Sequence, residues 1–254
     1  MIWISGLWID KVGIEVECAI DKNLQNRRKE VARFRREYDS SITTEKPQAE
    51  SKEYVSDPVD YPEEIEDLET SVRTLYGKIR EINASMGLHI HVSMNKDKHY
   101  YRLTSLKFHD YFIDRVRDSD LWSKCPRLRK RVKNRDSHPF SRSATYGHYC
   151  KPIKDNYTID KQLDSHSGKY RRINYMKHKY DTVEFRLFPA MESPSKVMEA
   201  VDLVTTSINA YLREGLYSDS IGTELTKNDA VGSPRPEKTI SIESSVDKKV
   251  NHDV

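Results

Sequence analysis

Three short segments carry side chains that could do chemistry together: Glu15-Val16-Glu17, His89-Ile90-His91 and Glu184-Phe185-Arg186. In each, two polar residues flank an apolar one. That period of two predicts a β-strand with the polar pair on one face. Carboxylates at i and i+2 project side by side, roughly 7 Å apart, and a nearby cation relieves their repulsion. Each pair alone has an ordinary explanation. Glu-x-Glu is more often a solvated face, and Glu-x-Arg is usually a surface ion pair worth under about 1 kcal/mol. His-x-His divides about evenly between site and structure. Three such pairs on one common face point instead to a shared site. Carboxylate oxygens with an occasional imidazole suit Mg²⁺ or Mn²⁺. Such an ion beside arginines is a natural place for a nucleoside triphosphate.

The elements that must position these pairs follow from periodicity. Strands are expected over 11–20, 87–94 and 182–189. On the last, Val183, Phe185 and Leu187 face one way, and Glu184 and Arg186 the other, with Phe188 beyond them. A helix is expected from Pro62, its first turn rich in Glu63, Glu64 and Glu66. Its stripe is Ile65, Leu68, Val72, Leu75, Ile79 and Ile82, and its stop is near Met86-Gly87. A second helix is expected over Leu106–Leu121. A third begins at Ser193-Pro194 and stops at Gly215, with Val197, Val201, Val204, Ile208 and Leu212 in its stripe. Residues 22–38 are basic and read as helical. Residues 39–42 read as a turn or strand start, 43–50 as loop, and 52–56 as a short strand closed by Asp57-Pro58. Residues 143–169 read as loops and short strands. Residues 170–176 read as a strand carrying Arg172 and Asn174. The economical arrangement is an α+β fold: an antiparallel or mixed sheet with helices on its apolar face and the polar pairs on the other.

Composition bounds the class. Of 254 residues, 33% are charged and 36% hydrophobic, so one core is affordable if part of the chain lies outside it. A net charge of +3 does not by itself argue for a nucleic-acid partner. Cys18, Cys125 and Cys150 are widely spaced and odd in number, which suggests neither a disulfide framework nor a zinc ribbon. No apolar run approaches the roughly 18 residues of a membrane span. Residues 1–8 carry no basic group ahead of their apolar ones, which argues against a signal peptide. The expectation is a soluble cytoplasmic protein. Beyond about Asp219 the chain loses apolar periodicity, so a catalytic domain over 1–217 and a disordered polar tail over 218–254 are expected.

Gly13-Ile14-Glu15-Val16-Glu17, Gly87-Leu88-His89-Ile90-His91-Val92 and Thr182-Val183-Glu184-Phe185-Arg186 occur in an order and spacing that resemble the amidoligases. These belong to the carboxylate–amine ligase superfamily of glutamine synthetase and glutamate–cysteine ligase. Asp39-Ser40-Ser41-Ile42 is similar to the family's Asp-Gly-Ser turn, with serine in place of glycine. Glu53 precedes Ser56-Asp57-Pro58 as a family glutamate precedes a similar turn. Tyr170-Arg171-Arg172-Ile173-Asn174 resembles the family's Tyr-x-x-Leu-Asn. The likeness spans roughly residues 11–214. It implies a glutamine synthetase-like catalytic sheet, with Glu15, Glu17, Glu53, His89 and Glu184 as metal ligands around ATP. It further implies that Arg186 contacts phosphate and that Arg172 and Asn174 hold nucleotide or substrate. His91 is left as a second ligand, a substrate contact or support for His89. The implied reaction joins a carboxylate and an amine through an acyl phosphate.

Two other readings remain. The basic segment Lys124–Arg142 carries Arg127, Arg129, Lys130, Arg131, Lys133 and Arg135. It supports either a nucleic-acid-binding protein or a docking surface for a large acidic substrate, such as a protein, a cell-wall peptide or a modified nucleic acid. An inactive ligase-like protein is the third reading.

Overall fold

The computed structural model describes residues 8–24, 33–136, 172–176 and 181–214. Among these, the strands are β1 (Ile9–Asp21), β2 (Phe34–Glu37), β3 (Ala49–Ser56), β4 (Val59–Asp60), β5 (Ile79–Glu81), β6 (Gly87–Met94), β7 (Ile173–Tyr175) and β8 (Val183–Pro189). The helices are α1 (Ile65–Tyr76), α2 (Asp97–Leu103), α3 (Leu106–Arg117), α4 (Asp120–Lys124), α5 (Pro126–Asp136) and α6 (Pro194–Arg213). The expected tail over 218–254, the loops over 143–169 and Cys150 lie outside the described residues.

The sheet runs β2-β3-β1-β6-β8-β7, and β4 and β5 also pair with β1. Every described pairing is antiparallel. This is an α+β protein with an open, antiparallel sheet, within the expected class. β1 is its axis. Its alternation Val12, Ile14, Val16, Cys18 supplies one apolar face, and these side chains join Leu88, Ile90, Val92, Val183 and Phe185 in the core. The helices cover that face. Phe108 and Phe112 of α3 meet Phe185 with ring centroids 6.3 and 5.0 Å away, and Phe108 meets Tyr211 of α6 at 4.9 Å. A fully buried aromatic side chain of this kind contributes about 1.5–3 kcal/mol.

α6 begins where Ser193-Pro194 predicts. The Ser193 hydroxyl accepts from the Lys196 N–H at 3.4 Å, and Pro194 occupies the first helical position, where no N–H is needed. Ser193→Ala is expected to lower stability by about 1 kcal/mol, measured by urea unfolding.

Four expectations are corrected. The helix from Pro62 ends at Tyr76, with Gly77 as its cap, rather than near Met86. Ile79 continues the helical stripe but lies in β5, because β1 offers an open edge at Ala19 and Ile20 and β5 takes it. Residues 34–37 form β2 rather than helix, pairing with β3 from Phe34↔Ser56 to Glu37↔Glu53. The helix over 106–121 is broken at Asp118, where the Ser119 hydroxyl caps α4 by accepting from the Trp122 N–H at 3.3 Å.

The fourth correction concerns β8. Its register on β6 shifts between Ile90↔Phe185 and Leu88↔Phe188, so Arg186 and Leu187 together oppose His89. This β-bulge rephases the strand. Phe188 therefore joins the core, 6.4 Å from the Phe112 ring, rather than sitting on the polar side.

Candidate functional site

The opposite face of the sheet collects the polar pairs by register alone. Glu17 lies opposite Glu53, and Glu15 opposite His89. His91 lies opposite Glu184, and Glu184 opposite Asn174. Four strands thus bring carboxylates and imidazoles into one patch, and a fifth, β7, adds Asn174. Glu15, Glu17, His89, His91 and Glu184 are all buried, with Glu184 only 1% exposed.

His89 stands at the centre. Its Nδ1 is 3.0 Å from Glu15, 3.5 Å from Glu184 and 3.8 Å from Glu53, and its Nε2 is 3.6 Å from Glu17. His91 Nε2 is 3.0 Å from Glu15 and 3.9 Å from Glu184, while its Nδ1 meets the Thr182 hydroxyl at 3.1 Å. Arg186 pairs with Glu184. Asn174 donates to the same carboxylate at 3.4 Å, which helps to orient it. Arg172 is buried just before β7, and its carbonyl accepts the Arg186 N–H at 2.8 Å.

The electrostatics follow from this crowding. Burial opposes ionisation of Glu15, but hydrogen bonds from His89 and His91 hold its carboxyl well below the usual range. Burial likewise opposes protonation of His91, and the Glu15 hydrogen bond and charge overcome it, so His91 is raised. Glu53 goes the other way. Burial, the charge of Glu15, a hydrogen bond to that carboxylate, and the charges of Glu17 and Asp39 push it up to about 9. Without a cation, one carboxyl of this cluster holds a proton at neutral pH.

Such a donor set fits divalent cations. Three groups of side chains offer ligand atoms within 4.8 Å of one another: Glu17, Asp39 and Glu53; Glu15, Glu53 and His89; Glu15, His91 and Glu184. They share Glu15 and Glu53, so they form a row across the strands rather than isolated sites. Every ligand expected by resemblance falls in this row. His91, whose role the sequence left open, falls in it as well. Asp39 is an addition. It sits in the turn after β2, where its carboxylate accepts the Ser41 N–H at 2.7 Å. The likeness of Asp39–Ile42 to a family turn was the available signal, but a lone aspartate in a polar turn has no period to mark it.

Within the basic segment three arginines engage backbone, while the side chains of Lys133 and Arg135 and residues 137–142 lie outside what the structure describes. Arg127 donates to the carbonyls of Ala190 and Asn83, and Arg129 to those of Trp122 and Ser123. Arg131 donates to those of Phe188 and Met86. These three arginines brace backbone rather than present bare charge.

A family model described as "Putative amidoligase enzyme" matches residues 10–207. The chain belongs to this amidoligase family. No curated protein matches it. No helix among the described residues is long and apolar enough to cross a membrane.

Proposed function

We propose that this protein is an ATP- and Mg²⁺- or Mn²⁺-dependent ligase that forms an amide bond between a carboxylate and an amine. One observation carries the reading: three overlapping groups of carboxylates and imidazoles, linked through Glu15 and Glu53, gathered on one side of an antiparallel sheet. A row of acidic ligands beside Arg186 suits nucleotide phosphates, and an active-site sheet of the glutamine synthetase type is the architecture that this row supports. Glu15, Glu17, Glu53, His89, Glu184, Asp39 and His91 would hold the cations. When bound, these ions would neutralise the triphosphate and polarise its terminal phosphorus.

The chain's own residues then position and stabilise charge. Arg186, paired with Glu184, would turn toward a phosphoryl oxygen as charge shifts onto it. Asn174 holds Glu184 in orientation, and Arg172 would hold nucleotide or substrate. The substrate carboxylate oxygen attacks the γ-phosphorus and ADP leaves, giving an acyl phosphate. The amine nitrogen, having lost a proton, attacks the acyl carbon and phosphate leaves, giving the amide.

The test is release of ADP and phosphate by the full chain, screened over carboxylate and amine pairs. Release that requires Mg²⁺ or Mn²⁺ and both substrates is the expected result. Tight, salt-sensitive nucleic-acid binding without nucleotide turnover would replace the ligase reading with a binding module. Failure to bind nucleotide at all would favour an inactive relative. The bracing role of Arg127, Arg129 and Arg131 weighs against the nucleic-acid reading. The wider segment Lys124–Arg142 remains a candidate docking surface for an acidic carboxylate substrate.

A further inference from the structure

Helix α5 packs against β8 from outside the ligand row, and one of its side chains ends close to that row, beside Gly87. Leu128 and Val132 anchor the helix in the core. Arg127 and Arg131, also four residues apart, hold the same two segments of backbone. Arg131 Nη1 donates to the Phe188 carbonyl at 2.6 Å and Nη2 to the Met86 carbonyl at 3.0 Å. The Met86 carbonyl also accepts the Ala190 N–H at 3.1 Å, so this fork fastens the start of β6 to the end of β8.

The next residue after Met86 is Gly87, whose N–H donates to Glu17 Oε2 at 2.5 Å. A Cβ at residue 87 would lie 3.1 Å from Glu17 Oε2, 3.3 Å from His89 Nε2 and 3.4 Å from Arg131 Nη1. Two proposed ligands and the guanidinium therefore converge on Gly87. A side chain here would have to displace them by a few tenths of an ångström.

We infer that Arg131 is a positioning residue of the metal site: by bridging the Met86 and Phe188 carbonyls it fixes the Gly87 N–H that orients Glu17 as a ligand. The inference rests on the metal reading above and extends it to a helix that supplies no ligand. Groups that orient ligands from behind typically change metal affinity 10–100-fold when removed. Arg127 provides an internal comparison. It braces the same segments but at Asn83 and Ala190, away from the Gly87 N–H.

The experiment is titration of the nucleotide-free full chain with Mn²⁺, followed by electron paramagnetic resonance, alongside thermal melts. Arg131→Met is expected to weaken Mn²⁺ binding by about tenfold. Arg127→Met is expected to lower thermal stability while leaving Mn²⁺ affinity within about twofold, since it does not hold the amide that meets Glu17. Arg131→Lys keeps the charge but replaces the planar fork, whose two nitrogens each hold one carbonyl, with a single nitrogen on a shorter side chain, so it should not restore affinity. Gly87→Ala perturbs the same convergence without touching the guanidinium, and should also weaken Mn²⁺; it carries the test if Arg131→Met does not fold. Wild-type affinity in Arg131→Met or Gly87→Ala, an equal loss in Arg127→Met, or rescue by Arg131→Lys would overturn the positioning role. Wild-type protein that takes up no Mn²⁺ would remove the metal reading itself and this inference with it.

Discussion

Glu15→Gln is expected to eliminate measurable Mn²⁺ binding and to lower metal-dependent nucleotide turnover by on the order of 10³-fold or more. The circular-dichroism spectrum should be unchanged. Glu15 is the best single target because two of the three ligand groups contain it and both histidines hydrogen-bond to it. The amide keeps the shape of the carboxylate but removes its charge and one of its two acceptor oxygens. The fold tolerates this, because the strand around residue 15 is held by Ile14 and Val16 on the other face. Glu184→Ala should also abolish turnover, and it additionally frees Arg186 from its carboxylate. Turnover within tenfold of wild type in both variants would remove the site assignment.

The second expectation concerns pH. In EDTA, thermal stability should fall between pH 6 and pH 9, and saturating Mg²⁺ should largely abolish the fall. Glu53 sits at about 9 in the fold against an ordinary value of 4.5. Between those values the folded state keeps a proton that the unfolded chain has lost, so stability decreases as pH rises. His91 adds to the slope. Its folded value is raised, so its contribution is complete below 6.5 and is lost as pH rises through the folded value. Glu15 has the opposite sign: its contribution is present above 4.5 and is lost only as pH falls through a depressed value, outside this window. The net effect is on the order of a few kcal/mol, or about 5–10 °C in Tm for a domain of this size. A cation bound there would replace the proton on Glu53, so metal affinity should rise with pH over the same range. Glu53→Gln should flatten the apo profile. A profile in EDTA that is flat or rising, and identical in Glu53→Gln, would remove this account.

The grouping of the candidate site residues was more legible in the sequence than the elements carrying them. Period two places Glu15 with Glu17 and His89 with His91 without reference to any partner strand, and the register then adds Glu53 and Glu184. What the sequence hid depends on partners distant along the chain. Residues 34–37 and 79–81 become strand because β3 and β1 present open edges to them. The Phe188 face depends on a bulge that forms only when β8 meets β6. Asp39 lacks any periodic neighbour. Arg127, Arg129 and Arg131 read as a basic stretch because a count of charges cannot distinguish a guanidinium facing solvent from one capping carbonyls.

The bulge at Arg186 and Leu187 divides β8 into two parts with separate duties. Residues 183–185 follow the phase that aims Glu184 at His91, while residues 188 and 189 follow a phase chosen by the packing of Phe188. Substitutions that repack the end of the strand therefore need not rotate the ligand at its beginning. The two halves can diversify separately, as if a joint had been set between the tool and its handle.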